Sequence, residues 1–207
     1  MNAGVQASSG IFALTVGSDD LLQPQYVEVM LDALRRNPGA SFAYSRILFF
    51  GTECREYPTE PFDPETLAER NYVAPAAVFR RQAFDEIGGF DPGIPRCEDW
   101  DFWLTLAERG HWAVYVPQAL VLARQHGRSY NSRDYFSRRG LRRELLMVTR
   151  LRDRHPRLFA RRALLRRLAR LPGRLARRQV SLRFGALLVA FYGAMLAHDL
   201  VWRSRRR

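Results

Sequence analysis

Apolar residues recur along the first 130 positions in short runs separated by polar turns, and this pattern predicts strands alternating with helices. Ile11–Val16 is an apolar run closed by Gly17 and reads as a buried strand. Pro24 opens a helix whose apolar positions Val27, Met30, Leu31 and Leu34 fall at helical spacing, and Asn37-Pro38-Gly39 ends it. Ser41–Tyr44 and Ile47–Phe50 read as two strands. The proline- and acid-rich stretch 53–70 reads mostly as loop. Val73–Phe79 is apolar again. Arg80–Ile87 reads as a short helix stopped by Gly88-Gly89, and Trp112–Val116 and Leu120–Arg124 read as strands on either side of Pro117. The alternation predicts an α/β layered domain.

A further helix begins at Glu98, after a Gly/Pro-rich loop. At 100° per residue, Trp100, Trp103, Leu104 and Ala107 form one apolar stripe, widened by Phe102 and Leu106. Glu98, Asp101, Glu108 and Arg109 fall on the opposite, polar face. Asp99 leaves that group and projects between Trp103 and Leu106. A carboxylate on the apolar side is partly desolvated, which raises its pKa and suits it to act as a base. The same position also suits a helix cap or a favourable dipole contact.

Beyond residue 130 the pattern changes. From Ser137 to Arg178, Arg pairs alternate with Leu, with Pro156 and Pro172 as breaks. Phe184–Ala197 then runs without a charge. Three segments result: 1–130, an Arg-rich helical 131–180, and an apolar, membrane-associating helix in 181–207, which spans the membrane or lies on it. The chain has no lysine, so all 33 basic residues are Arg. Residues 1–137 hold 12 Arg against 18 acids, a charge of −6; residues 138–207 hold 21 Arg against 3 acids, a charge of +18. That asymmetry predicts an anionic membrane surface as partner. Nucleic acid is not expected, because the basic part carries no recognised reading motif and runs into an apolar stretch. Cys54 and Cys97 have no C-x-x-C spacing, and no secretory signal is visible at the start. A cytoplasmic location against the inner face of the membrane is expected.

Two acidic pairs carry the candidate chemistry. Asp19-Asp20 follows the first strand and Glu98-Asp99 opens the helix, 79 positions later (98 − 19). Together they supply what a metal-assisted transfer needs: a ligand for a cation on the leaving group, and a base for the nucleophile. Each pair also reads as an ordinary helix cap. His126, within Arg124-Gln-His-Gly-Arg-Ser129, follows a strand and reads as structural or as a ligand.

Taken together, the segments Gly10–Leu22, Gly88–Asp91 with Glu98–Trp103, and Arg124–Ser129 resemble the family 2 glycosyltransferases of the GT-A type, over roughly residues 7–130. They correspond in order to that family's D-x-D strand, its acceptor-side "ED" segment and its R-x-H-x-x-S segment. The resemblance implies a partial GT-A, Rossmann-like domain. Its activity would be an inverting transfer of sugar from a nucleotide-sugar donor to a hydroxyl of a glycan or lipid-linked acceptor, as in cell-envelope polysaccharide assembly. It implies Asp99 as catalytic base with Glu98 as its partner, and Asp19, Asp20 and His126 around Mg²⁺ or Mn²⁺. Gly89, Phe90, Asp91, Trp100 and Arg124 would contact substrate. Two departures stand out. Gly17 replaces the first acid of D-x-D, and the family's N-terminal nucleotide-binding part is not in this sequence. The expectation is therefore little activity from 1–207 alone, with the true start upstream, a natural fragment, or another chain completing the sheet. The alternative function is a catalytically incompetent, membrane-associated fragment acting as a binding module.

Overall fold

The structure, a computed structural model, describes residues 1–73, 75–94, 97–126 and 138–159 and a few isolated positions beyond; for 138–145 it describes the backbone alone. The chain divides into two compact units, Met1–His155 and Pro156–Arg207. The first contains every element discussed below and extends past the boundary expected at 130. The apolar helix expected in 181–207, and most of the Arg-rich stretch beyond residue 159, lie outside the described residues. Among those described, no helix is long and apolar enough to cross a membrane.

The fold is α/β. The strands β1 (Phe12–Leu14), β2 (Leu21–Leu22), β3 (Phe42–Gly51), β4 (Arg55–Tyr57), β5 (Val78–Arg80) and β6 (Ala113–Gln125) form one mixed sheet in the order β1-β5-β3-β6-β2, with β4 added to β3. β3 and β6 run parallel and the other pairs antiparallel. The helices are α1 (Asn2–Ala7), α2 (Tyr26–Arg36), α3 (Pro64–Leu67), α4 (Arg81–Ile87), α5 (Glu98–Glu108) and α6 (Arg138–Arg154).

Several elements differ from the expected ones, each for a local reason. The two strands expected on either side of Pro117 are one strand, β6. Its register to β3 steps from Ser45↔Val116 to Arg46↔Ala119, so Pro117 and Gln118 sit in a bulge. A proline, which has no N–H to give the ladder, is tolerated there. The same irregularity lets Phe42–Gly51 run as a single strand. The stretch 53–70 is more ordered than expected: it holds β4 and α3, whose start is capped by Asp63, accepting from the N–H groups of Glu65 and Thr66, with Pro64 at the first helical position. Of the apolar stretch Val73–Phe79, only Val78 and Phe79 belong to a strand, β5. The apolar pattern does not predict α1; Arg81 holds the segment after it by donating to the carbonyls of Val5, Ser8 and Gly10. β1 is not buried. It lies at the sheet edge, with Ile11 76% exposed and Val16 40% exposed, beside a groove of about 300 Å³ between β1 and the Val27–Leu31 face of α2.

Each face of the sheet has its own core. On one, Tyr26, Met30 and Leu34 of α2 pack on Ala43, Ile47, Val116 and Leu120, and the Tyr26 hydroxyl donates to the Ala76 carbonyl. On the other, α5 is seated by an aromatic cluster. Trp103 stacks on Phe42 at 4.7 Å and Phe102 on Phe90 at 4.3 Å between ring centroids. The predicted apolar stripe of α5 is buried throughout.

Candidate active site

The parallel pair β3 and β6 ends at a common edge. Gly51 pairs with Gln125, and the Thr52 N–H donates to the Gln125 carbonyl at 2.8 Å. At this end β6 brings Arg124, and just beyond it His126, to the turn that follows β1. There the Arg124 N–H donates to Asp20 Oδ1 at 3.0 Å, Arg124 Nε donates to the Asp19 carbonyl at 3.2 Å, and His126 Nε2 lies 3.2 Å from Asp19 Oδ2. The Arg124 guanidinium lies 4.4 Å from the centroid of the Phe50 ring. Asp19 and Asp20 thus form one cluster with Arg124 and His126, more than a hundred residues further along the chain. Burial pushes the Asp20 carboxyl above its usual range and the Asp19 charge adds to this, while the Arg124 N–H opposes it.

The cluster also shows what stands beside Gly17. A Cβ at that position would meet Asp20 Oδ2 at 2.7 Å, so the Asp20 carboxylate occupies the space next to the glycine. With one oxygen committed to the Arg124 N–H, Asp20 is the less available of the two acids. Asp19 and His126 offer a carboxylate and an imidazole side by side. Carboxylate oxygen and imidazole nitrogen are donor types that divalent cations accept. Among the described residues, no group of three or more His, Cys, Asp or Glu is arranged to hold a metal by itself.

The second acidic pair opens α5. Cys97 is the N-cap and makes no side-chain cap bond. Asp99 is half-buried, and its Oδ2 accepts from Asn71 Nδ2 at 2.9 Å. Burial pushes its carboxyl up to about 6, and the Glu98 charge contributes in the same direction; the Trp100 N–H and the Asn71 amide pull the other way. The Trp100 contact is the helix-end interaction that the sequence allows as an alternative role, and desolvation outweighs it. Glu98 Oε2 is buried without a hydrogen-bond partner among the described residues.

Four residues expected at substrate make contacts within the fold. Phe90 and Trp100 are each 5% exposed, and the Trp100 indole N–H donates to the Leu67 carbonyl at 2.7 Å, so both are core residues. Gly89 has φ 79° and faces the Phe84 ring, which makes it a packing position. Asp91 turns one oxygen to the Gly93 N–H at 2.7 Å and the other to Arg154. The polar face of α5 is corrected. Asp101 is 2% exposed and is covered by Arg154 and His155 of the α6 end. Sequence reasoning missed Asn71, Arg154 and His155. The one signal available was a histidine beside an arginine at the end of a basic helix, a pattern that does not say what it faces.

No protein-family model matches the chain. Over 122 residues, 55% of this chain, it is 28% identical to a Haemophilus influenzae protein described as an uncharacterized glycosyltransferase, 42% of which is covered. Over 131 residues, 58% of this chain, it is 28% identical to the uncharacterized glycosyltransferase YwdF of Bacillus subtilis, 47% of which is covered. Over that region the chain is glycosyltransferase-like. It spans less than half the length of these relatives. Among solved structures, S. aureus TarS 1–349 in complex with UDP aligns at a TM-score of 0.48 with 16% identity, over 60% of this chain and 38% of that one.

Proposed function

We propose that the chain carries the acceptor and diphosphate sides of an inverting glycosyl-transfer site, with Asp99 as general base. The observation that carries this reading is the Asp99 carboxyl, desolvated at the start of α5, held by Asn71 and raised to about 6. Such a base is ionised at neutral pH and strong enough to take a hydroxyl proton as the bond forms. Asp99 accepts the acceptor's O–H proton, the acceptor oxygen bonds to the anomeric carbon, and the bond from that carbon to the nucleoside diphosphate breaks. The diphosphate leaves with the electron pair. Asp19 and His126 would hold Mg²⁺ or Mn²⁺, which supplies charge neutralisation for the leaving group. Arg124, beside them, adds a fixed positive charge. The open edge of β1 suits a further strand that completes the sheet, and the +18 charge of residues 138–207 suits an anionic membrane surface.

Two measurements test this reading on a nucleotide-sugar substrate, in a form of the chain joined to a nucleotide-binding part. A base works in its ionised form, which sets the sign of the pH dependence. The rate is therefore expected to rise with pH through about 6 and level above it. A profile flat between pH 5 and 8 would remove Asp99 from the role. The cation is tested separately. Asp19→Ala is expected to weaken Mn²⁺-dependent donor binding at least tenfold in calorimetry, in line with loss of one carboxylate ligand. Donor binding indifferent to a chelator would discard the cation.

A further inference from the structure

The end of α6 carries a cluster that the transfer reaction does not use. Its hub is the buried carboxylate of Asp101. Arg154 donates to Asp101 Oδ1 through Nε at 2.8 Å and to Oδ2 through Nη2 at 3.4 Å, while its Nη1 lies 2.5 Å from Asp91 Oδ2 in the loop before α5. His155, itself 2% exposed, meets Asp101 Oδ1 through Nε2 at 3.0 Å and Glu108 Oε2 through Nδ1 at 3.3 Å. Burial by itself would raise the Asp101 carboxyl. The bonds from His155 and Arg154 outweigh it and hold the group below the usual carboxylate range.

A planar guanidinium that grips two carboxylates fixes angles as well as distances. Asp101 and Asp99 lie two residues apart on one helix, about 200° round its axis. A rotation of α5 that pulled Asp101 off Arg154 would carry Asp99 through the same angle. The Asp91 contact fixes a second coordinate, the separation of the loop from the start of the helix. His155 adds a third, because it holds α5 at Asp101 and again at Glu108, two turns along.

We propose that Arg154 and His155 are positioning residues for Asp99, holding α5 in the one rotation that keeps its carboxyl desolvated against Asn71. The proposal rests on the reading of Asp99 as the base. It makes the end of the arginine-rich helix part of the site's scaffold, in addition to the surface charge that its composition suggests.

The test is the titration of Asp99 itself in the full chain, followed by carboxyl ¹³C NMR and assigned by the signal lost in Asp99→Asn. The groups that face Asp99 are Glu98, Asn71 and the Trp100 N–H, with the Tyr57 phenol close enough to feel its charge. None of these is altered in Arg154→Lys, Arg154→Gln or His155→Gln. In each variant, confirmed as folded by a cooperative thermal transition, the Asp99 midpoint is expected to fall by about one pH unit, a tenfold change in proton affinity. A folded variant whose Asp99 midpoint matches the parent would overturn the proposal, whatever its melting temperature, because lost stability alone does not move that midpoint. If all three fail to fold, hydrogen exchange in the unmodified chain decides. The Asp101 and Phe102 amides must then exchange as slowly as those of β3, and faster exchange overturns the proposal. Failure of the transferase reading would appear instead as turnover unchanged by Asp99→Asn in a form of the chain joined to a nucleotide-binding part, leaving these titrations as they are.

Discussion

In a form of the chain joined to a nucleotide-binding part, Asp99→Asn is expected to lower turnover by at least about 10²-fold, while making the fold more stable at neutral pH. The first half follows from removing proton acceptance while keeping shape. The second follows from linkage. The folded-state pKa of Asp99 is about 6, raised from 3.8 by burial. Between those values the folded chain binds more protons than the unfolded one, so stability falls as pH rises through that window and is flat above it. Asparagine does not ionise and escapes this loss. The variant should match the parent near pH 4 and exceed it at pH 8. Two pKa units correspond to about 3 kcal/mol. The partly exposed surroundings, and the poorer fit of an amide against the Trp100 N–H, reduce the expected gain to about 1–2 kcal/mol. Urea unfolding at the two pH values, beside a turnover assay, checks both halves. Turnover within a few-fold of the parent would dismiss Asp99 as base, and an equal stability difference at both pH values would dismiss the desolvated carboxyl.

Gly51→Ala is expected to be the most damaging small substitution in the sheet. Gly51 has φ 101°, where an alanine is strained, and its added Cβ would lie 2.3 Å from the Gln125 carbonyl oxygen. The collision is with backbone, so β3 and β6 must part at their shared end. Conformational strain of this kind costs about 1–3 kcal/mol, and the clash adds to it. A total of about 3 kcal/mol would lower the melting temperature by roughly 6–12 °C for a chain of this size. The damage is also directed, because Arg124 and His126 flank Gln125. Gly88→Ala is the control: its φ is 84°, but nothing lies within 4 Å of the added Cβ, so about 1 kcal/mol of strain is all it should show. Equal melting temperatures for the two variants would mean that the close approach at Gln125 does not constrain the sheet.

The sequence was most informative where the physics is local. The apolar stripe of α5 obeys helical periodicity and is buried as that periodicity requires. The stop at Gly88 is a left-handed cap, which follows from glycine's lack of a Cβ. The displacement of Asp99 from the polar face was legible for the same reason. Where a proline interrupted a strand, however, the local signal misled. Pro117 reads as a break, and only the register with β3 makes it a bulge inside one long strand.

By itself, then, the sequence determined which stretches bury an apolar face, where helices start and stop, and which acids stand at element ends. These are properties of neighbours a few residues apart, set by backbone sterics and side-chain period. The tertiary structure alone decided that β1 is a sheet edge, that Asn71 meets Asp99, and that Asp101 is buried under Arg154 and His155. Hydrophobic pattern records how much of a side chain leaves water. It does not record which distant charge a buried carboxylate will find, because that pairing depends on how whole elements stack and leaves no periodic trace along the chain.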